Sequence, residues 1–172
     1  MATSLLLIDT NIISQALVPS HTAAYAALFK DLEAKYDRFV VSGFTKYELM
    51  CSSDKEHRAK IDNYIANDMI LISLSQPLMD FAARVCFLYG HHKSTKGHKI
   101  GMGDIVNASL AIIKKCPILT MDNNDYPTPF FQEIDRRRVT YDTGKNKEMT
   151  DTVYILKPDL ENLRTCFEAY EV

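Results

Sequence analysis

Leu5, Leu6, Leu7, Ile8, Asp9, Thr10, Asn11 is the stretch from which the rest of this chain can be placed. Four apolar residues without polar alternation read as a strand covered on both faces, the signature of a parallel sheet rather than a half-wetted antiparallel one. The run ends on a carboxylate. A second run, Ile118, Leu119, Thr120 and Met121, ends the same way at Asp122, while Glu48 and Asp104 stand near the starts of expected helices. In a parallel α/β sheet the carboxyl ends of the strands share one edge, so these four acids converge there from distant sequence. Thr10 and Thr120 place hydroxyls beside Asp9 and Asp122 at two neighbouring strand ends. Converging carboxylates without interleaved thiolates suit the hard cations Mg²⁺ or Mn²⁺ and the phosphoryl chemistry such ions support.

At 172 residues and 47% apolar composition the chain fits one domain, 1–172, able to bury a core without disulfide or metal staples. A formal net charge of -2 excludes a protein that holds nucleic acid by bulk positive charge, so any such affinity must be local. Cys51, Cys86, Cys116 and Cys166 are far apart in sequence, which gives no support to a zinc cluster and suits reduced thiols. The apolar run before Asp9 is too short for a signal peptide or a membrane span, so a cytoplasmic protein is expected.

The spacing of Tyr25, Leu28, Phe29 and Leu32 predicts a helix between His21 and Tyr36, and Phe39 to Val41 a second buried strand. Helices are expected over 45–51 and over 53–67, the latter with Ser53 and Glu56 at capping-box spacing; Met69 to Leu74 reads as a third strand or a connector. A helix from Pro77 to Gly90 leads into His91, His92, Lys93, Ser94, Thr95, Lys96, Gly97, His98 and Lys99, an acid-free stretch that reads as an exposed basic loop. The helix from Asp104 to Lys115 is apolar almost all round and belongs at the centre. Beyond it, a hairpin elaboration over 135–157 and a last helix over 159–170 are expected.

Each acid also has a purely structural use. Asp9 can cap the helix that follows it, and Asp104 can stabilise a helix start by roughly 0.3 to 1 kcal/mol. Glu48 lies three residues after Thr45, the spacing at which its carboxylate folds back onto the Thr45 amide. Asp122 and Asp125 are good turn residues. Helices of an α/β fold have no need for an acid at every one of these places, and the joint pattern favours a metal site.

The segments Leu5 to Asn11, Thr45 to Leu49, Gly103 to Ala108 and Leu119 to Tyr126 resemble, in order and spacing, the four motifs of a PIN domain, closest to the VapC-type ribonuclease toxins. The resemblance implies a three-layer α/β sandwich with a mostly parallel central sheet flanked by helices. It maps Asp9, Glu48, Asp104 and Asp122 onto the family's acidic quartet and Asp125 onto a more variable fifth acid, with Thr10, Asn11, Asn107 and Thr120 in support. It further implies a Mg²⁺- or Mn²⁺-dependent ribonuclease in which Asp9, Asp104 and Asp122 hold the ion, with RNA as substrate, a cognate antitoxin protein and a homodimer as partners, and no membrane. Lys93, Lys96 and Lys99 are then placed to guide the RNA backbone, with Arg136, Arg137 and Arg138 as the alternative basic group. Two other classes compete: a non-catalytic PIN-like scaffold that binds RNA or protein, and an aspartyl-phosphate enzyme using Asp9 as nucleophile. The second lacks the further Asp expected two residues on, where this chain has Asn11.

Overall fold

In the computed structural model, which describes residues 3–51, 53–95, 97, 99–143 and 147–170, strands and helices alternate through most of the chain. They run β1 (Leu5–Ile8), α1 (Thr10–Ala16), α2 (Thr22–Leu32), β2 (Arg38–Ser42), α3 (Gly43–Cys51), α4 (Lys55–Asp68), β3 (Ile70–Ile72), α5 (Gln76–His91), α6 (Met102–Lys114), β4 (Ile118–Thr120), β5 (Phe131–Asp142), β6 (Glu148–Pro158) and α7 (Leu160–Ala169). The six-stranded sheet has the order β3-β2-β1-β4-β6-β5. Its first four strands are mutually parallel, with Leu7 opposite both Val40 and Ile118, and β6 and β5 continue it antiparallel.

The continuous apolar runs are explained by burial on both faces. Along β1, Leu6 and Ile8 point to a layer built with Ile12, Tyr25, Leu28, Ile61 and Ile65 from α1, α2 and α4. Leu7 points the other way, to Leu78, Val85 and Leu88 of α5, Val106 and Leu110 of α6 and Leu163 of α7. Phe39 and Val41 against Val40, and Leu119 against Ile118, repeat the alternation. The fold is thus α/β in three layers, with every residue from Leu6 to Asp9 buried. No described helix is long and apolar enough to cross a membrane.

Several boundaries differ from expectation for identifiable reasons. Helix α4 is capped by Asp54, whose carboxylate accepts from the His57 amide at 2.8 Å, while the Ser53 hydroxyl turns back to donate to Leu49 O. Helix α6 starts two residues before Asp104, with Gly101 as its cap and Asp104 in its first turn. The segment from Met69 to Leu74 contributes only the short edge strand β3, whose Ile70 and Leu71 are exposed. The acid-free segment is less free than a loop: His91 closes α5, the His92 ring lies 5.0 Å from that of Phe130, and Thr95 is buried with its hydroxyl donating to Tyr89 O.

Helix α2 is tied to the far hairpin by one carboxylate, since Tyr25 Oη donates to Asp151 Oδ2 at 2.8 Å and Tyr141 Oη to Oδ1 at 3.1 Å. Tyr25 is fully buried. Removing a hydroxyl bonded to a charged group costs about 1.5 kcal/mol. Tyr25→Phe should therefore lower the melting temperature by roughly 4 °C in a domain of this size, measured by differential scanning calorimetry; an unchanged melting temperature would show that the hydroxyl holds nothing.

Candidate active site

Asp9 follows β1 and is 3% exposed. Its Oδ1 accepts from the Thr10 amide at 2.7 Å and from Asn107 Nδ2 at 3.1 Å; its Oδ2 accepts from Thr120 Oγ1 at 2.7 Å and from Asn11 Nδ2 at 3.0 Å. A carboxylate offers about four acceptor positions, and here donors from α1, α6 and β4 fill them. Burial pushes the Asp9 carboxyl up from the ordinary range, and Thr120, the Thr10 amide, Tyr126 and Asn107 pull against it.

Those donors are themselves held. Asn107 Oδ1 accepts from Ser42 Oγ at 2.7 Å, and Ser42 Oγ also accepts from the Thr45 amide at 3.0 Å, so the end of β2 and the start of α3 orient the Asn107 amide toward Asp9. Asn11 Oδ1 accepts from the Met121 amide at 3.1 Å, stitching α1 to the segment after β4. Thr120 Oγ1, while donating to Asp9, accepts from the Asp122 amide at 3.1 Å. One hydroxyl therefore sets two acids of the quartet. Ser42 is a site residue that sequence reading missed, because nothing in a serine at a strand end signals which helix it will face.

Glu48 does not form the capping box that its spacing suggested. The Thr45 amide already belongs to Ser42, and Glu48 Oε2 instead accepts from Thr10 Oγ1 at 2.6 Å. Its other oxygen lies over the start of α6, where a Cβ added to Gly103 would stand 2.6 Å from Oε1. Only a glycine lets the Glu48 carboxylate approach so closely. Asp104 sits one residue further, half-buried, its carboxyl pushed up to about 7 by burial first and then by the charges of Asp125, Asp9 and Glu48, against the pull of the Gly101 amide. Asp125 is pushed up as well, by burial and by Asp122 and Asp9. Asp122 is exposed, and its Oδ1 accepts from the Asn124 amide at 2.9 Å in a turn.

The five acids thus share one field, and among the described residues none of them has a Lys or Arg partner. Two further groups face this region. The hydroxyls of Tyr126 and Tyr89 are buried, and burial first holds both phenols above their ordinary range, with the charges of Asp9 and then Asp104 adding at Tyr126 and that of Asp104 adding at Tyr89. Among the described residues no three His, Cys, Asp or Glu side chains stand close enough to enclose an ion without moving. The donor set still fits Mg²⁺ or Mn²⁺ in kind: oxygen only, crowded, and short of positive charge. Lys93 and Lys99 are exposed on the segment ahead of α6, and Lys96 and His98 lie outside the described residues. Arg136 and Arg137 are taken up by Glu133, Asp135 and Asp31.

An α/β sheet with acids gathered at the carboxyl ends of β1 and β4 defines the class of protein. The chain belongs to the PIN domain family, whose model matches residues 6–130; the β5–β6 hairpin and α7 follow the matched region. A search of curated proteins gave no match. Among solved structures, the chain is similar to VapBC2 from Rickettsia felis bound to a DNA fragment from its promoter, at 20% identity and a TM-score of 0.57 over 71% of this chain and 90% of that one. It is similar also to a toxin-antitoxin complex from Klebsiella pneumoniae, at 18% identity and a TM-score of 0.54 over 72% and 92%. A third is FitAcB from Neisseria gonorrhoeae, at 18% identity and a TM-score of 0.52 over 70% and 90%. At these identities the likeness is one of fold.

The raised Asp104 carboxyl gives a signed pH dependence. Its folded value of about 7 lies above the unfolded value of roughly 4, so between these limits the folded state binds more protons. The metal-free protein should gain stability as pH falls from 8 to 5, and Asp104→Asn should flatten that slope; thermal melts across this range measure both. A wild-type slope of the opposite sign would contradict the crowding.

Proposed function

We propose that this protein is a Mg²⁺- or Mn²⁺-dependent ribonuclease, with Asp9, Asp104 and Asp122 holding the ion. The observation that carries this reading is the gathering of Asp104 with Asp125, Asp9 and Glu48, whose charges add to burial in raising its carboxyl, with no Lys or Arg paired to any of them among the described residues. Such a cluster costs stability and is explained if a cation completes it. A bound divalent ion supplies positive charge for the phosphoryl oxygens and acidifies a nearby water. Glu48 has one oxygen fixed by Thr10, while its Oε1 accepts no hydrogen bond among the described residues; it orients the attacking water and receives its proton. Attack at phosphorus forms the new P–O bond and breaks the bond to the 3′ oxygen, which takes a proton from solvent, so that a 5′-phosphate and a 3′-hydroxyl remain. Asn107 and Thr120 hold Asp9 in register, and Asn11 holds the segment bearing Asp122.

In this reading the whole chain works as one cytoplasmic domain. It is the toxin of a toxin-antitoxin pair, supported by the likeness to solved toxin-antitoxin complexes, with an antitoxin protein and a second copy of itself as partners. The competing reading, a PIN-like scaffold that binds RNA or protein without turnover, draws on a specific observation. Protein donors already occupy the acceptor positions of Asp9, so ligation there requires one to yield, and Asn107 Nδ2 at 3.1 Å is the longest.

A cleavage assay on labelled single-stranded RNA separates the two. Activity should appear with Mg²⁺ or Mn²⁺, vanish on chelation, and fall at least a hundredfold in Asp9→Asn, Asp104→Asn and Asp122→Asn, the scale of losing a group that acts directly in the reaction. Full activity in two of these variants, each folded, would remove the assignment.

A further inference from the structure

The acidic cluster repels the phosphates it is proposed to cut, so a ribonuclease of this design needs positive charge within reach of the acids. One cleft offers it. A cavity of about 430 Å³ has Thr10 and Glu48, the hydrogen-bonded pair of the site, among its lining residues, together with Ser14, Leu17, Val18 and Pro19 from α1 and the segment after it and His57 and Lys60 from α4. The clefts under α7 and beside β2 contain basic residues but none of the five acids.

We propose that this cleft seats a nucleotide of single-stranded RNA flanking the cleaved bond, with His57 and Lys60 on its phosphate; the inference rests on the ribonuclease reading. His57 and Lys60 are three residues apart on α4, and so share a face of it. The His57 imidazole makes no hydrogen bond among the described residues, although its backbone amide is taken by Asp54. Lys60 is held by Glu56 at 2.9 Å in an exposed pair, the kind of contact worth little and readily exchanged for a phosphate. Leu17, Val18 and Pro19, just after α1, add apolar lining suited to the face of a base. The Ser14 hydroxyl, exposed and without a partner among the described residues, is available to a ribose hydroxyl, the group that distinguishes RNA from DNA. The volume lies in the range of sites for small ligands, enough for one nucleotide rather than a duplex.

The test uses the full chain, a fluorescein-labelled single-stranded oligoribonucleotide and its DNA counterpart, with Ca²⁺ replacing Mg²⁺, and anisotropy read over a salt series. In His57→Gln/Lys60→Gln the RNA Kd should weaken about tenfold and the log–log salt slope should shrink by about 0.7 for each charge lost. Val18→Trp, which fills the cleft from a partly exposed position, should weaken binding without lowering the melting temperature, and Lys60→Arg should restore the slope. The DNA counterpart should bind more weakly. An unchanged Kd and slope in the double variant, while the wild type binds and cleaves RNA, overturns the inference and leaves the ribonuclease reading intact. Loss of the slope in Lys93→Gln/Lys99→Gln instead of in the double variant overturns it in favour of the segment before α6. A wild type that neither binds nor cleaves RNA overturns both.

Discussion

The arrangement depends on one buried carboxylate. Asp9 ends the central strand, caps the first helix and accepts hydrogen bonds from residues of α1, α6 and β4, so strand β1 cannot shift along its neighbours without breaking them. A buried charge left without partners is costly, and each donor here removes part of that cost while specifying where its own element stops. The same network that fixes the strand ends therefore fixes the distance between Asp9 and the acids that start the helices.

What the network does not do is neutralise the cluster. Its donors are neutral amides and hydroxyls, and burial together with the charges of neighbouring acids raises Asp104 and Asp125, with no Lys or Arg partner among the described residues. Local stability is lower than an uncharged site would give, a pattern that marks places where a fold carries function at its own expense. Gly103 belongs to that pattern: a side chain there would stabilise the helix slightly but would force the Glu48 carboxylate to shift from its position. The buried phenols of Tyr89 and Tyr126 extend the polar region behind Asp104 into the layer packed on the sheet.

Much of this was legible in the sequence, because two-sided burial writes itself as unbroken apolar runs. Leu5 to Ile8 and Ile118 to Thr120 were readable as adjacent parallel strands, and Asp9 and Asp122 as neighbours at their ends. What escaped was pairwise and long-range. The spacing of Thr45 and Glu48 is a local capping signal, but Ser42 takes the amide and Thr10, thirty-eight residues away, takes the carboxylate. Asn107 stands one turn after Asp104 on the same helix, and only the packing of α6 against β2 reveals that it serves Asp9. Composition marked the segment from His91 to Lys99 as basic and solvated, yet Thr95 and His92 are anchored by Tyr89 and Phe130, contacts no local pattern encodes. Cleft-lining residues such as His57 and Lys60 carry no periodic signal, since they sit at half-exposed and exposed helix positions where the pattern is silent.

The central claim is that these acids are built to share an ion. Anomalous diffraction from crystals soaked in Mn²⁺ at pH 8 tests it most directly. A strong anomalous peak should stand bounded by Asp9, Asp104 and Asp122, with the Glu48 carboxylate beside it and the Asn107 contact to Asp9 lengthened. Well-ordered density for all four acids at saturating Mn²⁺, with no peak among them, would contradict it.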